Sequence, residues 1–187
     1  TTTTALELDI CANSIFKNIK LIGSWTNGAA RSNAQKDTGI NMTSNGVATC
    51  KNNIFENIEF NGIYFGVYSN FDIKDNLWKF CLFEHSYNAI AFGISGNYGA
   101  SYPGQATGPI HNDITSCRFN YIDRQGINIP TGKFNTSCNN RFYNVGNDNG
   151  APSVAVASNI HFHKHNISKN DYFERTAALT PNKLADT

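Results

Sequence analysis

Six segments of the chain share one alternation of apolar and polar positions, and each closes on a bulky apolar anchor: Leu21, Phe60, Phe83, Phe119, Phe142 and Phe173. The pattern is clearest in NSIFKNIKL, NNIFENIEF and DNLWKFCLF, and weaker in NDITSCRF, NTSCNNRF and NISKNDYF. Two residues before the anchor stand Ile19, Ile58, Cys81, Cys117, Asn140 and Asp171; one residue before it stand mainly Lys20, Glu59, Arg118 and Arg141. A period of two is the signature of a strand that turns one face inward. A further strand opening on a small residue follows: Gly39-Ile40-Asn41-Met42, Gly62-Ile63-Tyr64-Phe65, Ala89-Ile90-Ala91-Phe92, Gly126-Ile127-Asn128-Ile129 and Ser153-Val154-Ala155-Val156. The anchors lie 39, 23, 36, 23 and 31 residues apart, which describes a fixed unit carrying loops of variable length. A unit this short, with two or three strands separated by Asn or Gly corners, predicts the coil of a solenoid, because hairpins would need a reversal after every strand.

Stacked coils pair each strand in parallel with its equivalent about 4.8 Å away, so the columns of the alignment become ladders in space. Seven residues before the anchors the column reads Ser14, Asn53, Asn76, Asn112, Asn135 and Asn166; three before, it includes Asn18, Asn57, Asn139 and Asn170. Stacked amides both donate and accept, which satisfies the groups a bend strands, and asparagine tolerates the left-handed backbone of a sharp corner. Asn53, Asn76, Asn112 and Asn135 are therefore expected to be buried. Cys81 with Cys117, and Cys11 with Cys50, are expected to stack as thiols in the core. One conflict of parity remains. Six residues before the anchors the column holds Ile15, Ile54, Leu77 and Ile167, the next column holds Phe16, Phe55, Trp78 and Ile114, and adjacent strand residues cannot both face one core. Either the chain bends there, or one column forms an apolar stripe on the outside.

Composition narrows the partners. Fifteen Lys+Arg against fourteen Asp+Glu leave a net charge of +1, so no positive field gathers phosphate backbones or anionic lipid. No apolar run reaches the roughly 18 to 20 residues of a membrane span. Neither nucleic acid nor membrane is expected as a partner. Asparagine supplies 27 of 187 residues, which argues against a helical bundle. The chain opens on Thr1-Thr2-Thr3-Thr4-Ala5 without a signal-peptide pattern, and its five cysteines lack CxxC spacing, which fits buried thiols made in a reducing compartment.

These ladders, anchors and Gly-Ile strands resemble the right-handed parallel β-helix proteins of the pectate-lyase type, including bacteriophage tailspikes, fibres and appendages. The resemblance spans roughly residues 5 to 175. The expected fold is all-β, a right-handed single-stranded parallel β-helix of about six coils over residues 1–175, with residues 176–187 as a polar tail or linker and the whole as a module of a longer rod. The resemblance implies a virion structural or host-attachment module, assembled in the host cytoplasm and acting outside the cell on the particle's tail. It further implies contacts with other virion proteins, with host-surface polysaccharide, and among three copies in a homotrimer that brings Ile15, Ile54 and Leu77, or their aromatic neighbours, together. A polysaccharide depolymerase and a bacterial surface adhesin are the alternatives.

Candidate chemistry is sparse. Trp25, Tyr98 and Tyr102 stand in long polar loops, where they either stack on sugar rings or fold back over the solenoid flank. His161, His163 and His165 alternate, so a strand through them would aim three imidazoles at one face as a weak candidate metal site. Asp72 with Asp75, Asp113 with Asp123 and Glu84 with Asp113 are the carboxylates able to meet across coils, yet none forms the paired-Asp, Gly-His-Gly or Arg-Ile-Lys signatures of pectin-degrading relatives. No residue is assigned a catalytic role, and no cofactor is expected. Glu56 and Glu59 beside Lys17, Lys20 and Lys79 read as surface pairing of alternating sign.

Overall fold

The structure is a computed structural model that describes residues 3–26, 37–43, 49–69, 73–93, 108–146, 158–162 and 165–174. Among the described residues eighteen strands follow one another in six rounds of three. The first round is β1 (Thr4–Asp9), β2 (Ile15–Lys17) and β3 (Lys20–Ile22); the second is β4 (Thr38–Thr43), β5 (Ile54–Glu56) and β6 (Glu59–Asn61). The third is β7 (Phe65–Ser69), β8 (Leu77–Lys79) and β9 (Leu82–Glu84), and the fourth β10 (Asn88–Phe92), β11 (Asp113–Thr115) and β12 (Arg118–Asn120). The fifth is β13 (Gln125–Ile129), β14 (Thr136–Cys138) and β15 (Arg141–Tyr143), and the sixth β16 (Ser158–Phe162), β17 (Ile167–Lys169) and β18 (Tyr172–Glu174). Each strand pairs in parallel with the strand three places on, giving three six-stranded sheets. This is an all-β parallel β-helix of six coils.

The anchors fall in register through the third sheet, from Leu21 on Phe60 to Phe142 on Phe173. Their rings stack face to face at 4.5 to 5.0 Å between Phe60, Phe83, Phe119 and Phe142. Phe55 and Trp78 stack at 3.7 Å inside the second sheet, and Ile40, Val67, Ile90, Ile127 and Ile160 line the first. The phenylalanine column of the third sheet thus repeats one shape, whereas the inward column of the second shortens from Phe55 and Trp78 through Ile114 to Ser137.

Where the alignment shows one strand before the anchor, the structure has two strands of three residues separated by a corner. Asn18, Asn57, Phe80, Ser116, Asn139 and Asn170 occupy that corner with φ of 54 to 57°. Five residues earlier Asn13, Asn52, Asp75, His111, Phe134 and His165 make a second left-handed corner. Each corner resets which side chains face inward, and this resolves the parity conflict. Phe55, Trp78 and Ile114 are buried, while Ile15 and Ile167 are exposed and Ile54 and Leu77 half-buried, so the earlier column is an outer stripe. Asp113 and Thr136 interrupt it in the fourth and fifth coils.

Two strand expectations are corrected. The third coil's first strand is Phe65–Ser69 rather than one opening at Gly62, because Gly62 has a φ of 63° and turns a corner. The equivalent small residue is Gly66, where a Cβ would lie 2.6 Å from the Ala89 carbonyl oxygen and 2.9 Å from the Phe83 ring. In the sixth coil Ile160, not Val154, pairs with Ile127. Residues 153–156 and the tail at 176–187 lie outside the described residues.

Candidate functional site

The asparagine ladder fixes the frame on which any surface site rests. Asn53, Asn76, Asn112 and Asn135 are buried, and each Nδ2 donates to the Oδ1 of the asparagine one coil on, at 2.9 to 3.0 Å. The same Oδ1 atoms accept the backbone N–H of the preceding coil's asparagine, and each Nδ2 also donates to a backbone carbonyl, as Asn76 does to Cys50. A shorter ladder runs two residues before the anchors, where Asn140 accepts from the Cys117 N–H. Its last rung among the described residues is Asp171, whose carboxylate accepts from the Asn140 N–H and from the hydroxyls of Ser137 and Ser168. An acceptor-only group suits a rung whose three described partners all donate to it.

All five cysteines are free. The Cys11 N–H meets the Cys50 sulfur at 3.3 Å, and burial pushes the Cys117 thiol well above its ordinary value beside Cys81. Cys50, Cys81 and Cys117 are buried as part of the core, and Cys11 and Cys138 are half-buried.

The expected site residues fall in different places. Trp25 folds back over the flank: its indole N–H donates to the buried carboxylate of Asp123 at 3.0 Å, and its ring meets the edges of Tyr64 and Tyr87 at 5.0 and 5.4 Å. Tyr64 and Tyr87 themselves stack at 4.5 Å, so the indole seals a polar-tipped aromatic column running along the solenoid. Tyr98 and Tyr102 lie outside the described residues. The strand through the three histidines is corrected: β16 ends at Phe162, and His165 stands at an exposed left-handed corner with φ of 63° beside Phe134. His161 lies on β16 in register with Asn128, and His163 is outside the described residues. Among the described residues no group of three metal-ligating side chains comes together.

The carboxylates are spread over different faces. Asp113 is exposed on the second sheet, Glu84 lies on the third and accepts from the Asn120 amide at 3.0 Å, and Asp123 belongs to Trp25. Asp75 lies 3.5 Å from His111 at an exposed corner, and Asp72 is outside the described residues. The surface pairing is as expected. Glu56 bridges Lys17 at 2.9 Å and Lys79 at 3.2 Å, and Glu59 meets Lys20 at 2.6 Å.

An open concave surface of varied chemistry lies on the third sheet toward the last described coils. One cleft of about 470 Å³ is lined by Asn139, Asn140, Arg141, Asn170, Tyr172 and Glu174. A neighbouring one of about 270 Å³ shares Arg141, Tyr172 and Glu174 and adds Arg118, Asn120 and Tyr143. At its edge a hydrogen bond with Tyr143 raises the Tyr121 phenol above its ordinary value. The alternation already identifies Arg118 and Arg141 as outward positions. Two successive members of one column with the same charge were the available signal, and Tyr172 directly follows them in register.

Comparison with family models, with curated proteins and with solved structures finds no match to this chain.

Proposed function

We propose that this chain is a host-attachment module of a virion fibre or spike, a rod that binds cell-surface glycan on its outer faces. The observation that supports this best is the open cleft on the third sheet. Its side-chain amides, phenol, guanidinium and carboxylate are the groups that bond sugar hydroxyls, and the exposed ring of Tyr172 offers an apolar face for a sugar. Strands and ladders hold these groups in place before ligand arrives, which lowers the ordering cost of binding. The virion setting rests on the resemblance of the ladder and strand pattern to phage appendages, and the buried free thiols accord with assembly in a reducing cytoplasm.

The homotrimer belongs to the same reading. Ile15, Ile54 and Leu77 form an outer apolar stripe in the first three coils, and a threefold axis would bring three such stripes together. Phe55 and Trp78 are spent in the core, so the contact falls to the aliphatic column. Light scattering should return three copies for the native chain and one for Leu77→Asp. A native monomer at high concentration removes the trimer.

The function is tested by incubating labelled chain with host cells and purified surface polysaccharide. Binding that saturates without new reducing ends is the expected result. Steady release of reducing ends would replace this reading with the depolymerase, and absence of binding to cells and polysaccharide alike would remove glycan attachment.

A further inference from the structure

The outward column one residue before the anchors reads Lys20, Glu59, Leu82, Arg118, Arg141 and Tyr172, each in register with the next. Its first two members satisfy each other, Lys20 bonding Glu59 at 2.6 Å. The fourth and fifth do the reverse. Arg118 and Arg141 are exposed and directly opposite on strands about 4.8 Å apart, an arrangement that destabilises a sheet through like-charge repulsion. Among the described residues neither guanidinium has an ion pair, a hydrogen bond or a ring contact. A single intervening acid would have cured the repulsion, as Glu56 does between Lys17 and Lys79 on the neighbouring sheet.

We infer that this face binds an acidic saccharide through its carboxylate groups, with Arg118 and Arg141 as the carboxylate ligands and Tyr172 as the platform for the ring. This rests on the glycan-binding reading and names the class of glycan. A guanidinium presents two parallel N–H donors, and a planar carboxylate accepts both, so an anion between the two forks converts their repulsion into paired bonds. Tyr172 follows Arg141 in the same column, where a sugar carrying that carboxylate would lay its apolar face. Glu174 and Asn120 lie on the same cleft and supply an acceptor and a donor for hydroxyls. The acids also decide against other anions. Glu174 on the cleft repels a doubly charged phosphate monoester more than a singly charged carboxylate, and Glu174 and Glu84, in register with Tyr143 and Asn120, interrupt the continuous positive track that a nucleic acid backbone needs.

The test is calorimetric titration of the full chain with oligogalacturonate, alginate and hyaluronan oligosaccharides and polysialic acid. Methyl esters of the uronates, neutral host polysaccharide and dextran sulfate serve as comparisons. At least one carboxylated probe should bind, and its methyl ester should bind about tenfold more weakly or worse. Arg118→Gln and Arg141→Gln should each weaken binding by about tenfold or more, and Arg141→Lys, which keeps the charge and loses the fork, should fall between. Both side chains are exposed and unbonded, so circular dichroism should be unchanged. Lys20→Gln, the same loss of charge at the other end of the sheet, should change affinity by less than about twofold.

Equal weakening by Lys20→Gln and Arg141→Gln overturns the site in favour of diffuse charge, and tighter, Arg141-dependent binding of dextran sulfate overturns the carboxylate. Neutral polysaccharide bound equally by the native chain and both glutamine variants, with no carboxylated probe bound, overturns this inference and leaves glycan attachment standing. Binding of no glycan at all removes both.

Discussion

Two columns of asparagine run along the solenoid four positions apart, and the structure uses them for opposite purposes. Asn53, Asn76, Asn112 and Asn135 are at most 1% exposed, and their side chains carry the bonding. Each amide accepts at Oδ1 and donates at Nδ2 to the coils on either side, so only a group that does both fits an inner rung. Asn18, Asn57, Asn139 and Asn170 are exposed, and their backbones carry the requirement, with φ of 54 to 57°. There the side chain is incidental, which is why Phe80 and Ser116 occupy the same column at φ of 56 and 54°. A column whose inner rungs are all asparagine, as they are after Ser14, reports a hydrogen-bonded ladder; one that also admits phenylalanine reports a left-handed corner.

The sharpest way to break this distinction is to put the same substitution in both columns. Asn76→Asp replaces a donor with a charge facing the Asn112 Oδ1 and the Cys50 carbonyl, and should destabilise the fold by about 3 kcal/mol in urea unfolding. Asn57→Asp loses only an exposed bond to Asn18 and keeps a residue that tolerates the corner, so it should cost under about 0.5 kcal/mol. Equal costs would mean that the ladder bonds contribute nothing beyond the corner.

Most of the frame was legible because solenoid stacking turns chemistry into columns. The anchors, the buried asparagines and the Lys17–Glu56–Lys79 series all appear in the alignment where the structure places them. What was hidden is conformational. Nothing in the residue types shows that Phe80 sits at a positive φ, or that Gly62 turns a corner while Gly66 opens the strand, since both glycines precede an aliphatic residue. The candidate site was hidden for another reason. Aromatic loop residues drew attention to Trp25, whose donor is committed to Asp123, whereas Arg118 and Arg141 looked like ordinary outward positions until their register made them direct neighbours. A single repeat cannot show repulsion, because repulsion exists only between repeats.

A smaller effect of opposite sign should appear at Phe80. A phenylalanine held at φ of 56° with a largely exposed ring strains the backbone and gains little from burial. Phe80→Asn restores the type favoured in its column and should stabilise by about 1 kcal/mol, while Asn57→Gly at the equivalent corner should stay within about 0.5 kcal/mol. Destabilisation by Phe80→Asn would show that the ring itself holds that corner.

The smallest expected effect distinguishes rungs made by amides from rungs made by charge. Glu56 lies outside the core between Lys17 and Lys79, and the hydrogen bond from Lys17, then that from Lys79, holds its carboxyl below the ordinary 4.5. A depressed folded value means that the unfolded chain takes up the proton first as pH falls. The contribution of Glu56 is therefore complete above about pH 4.5 and is lost as pH drops through the folded value. Glu56→Gln should be less stable than the native chain near pH 7, and the difference should close as the pH falls below about 4.5 through the folded value and shrink in high salt. The amide ladder contains no titrating group in its asparagine rungs, so the difference between the native chain and Asn76→Ala should persist over the same range. If the Glu56→Gln difference also persists undiminished through acid titration of the folded chain, hydrogen bonding rather than charge holds that rung, and the outer and inner ladders work in the same way.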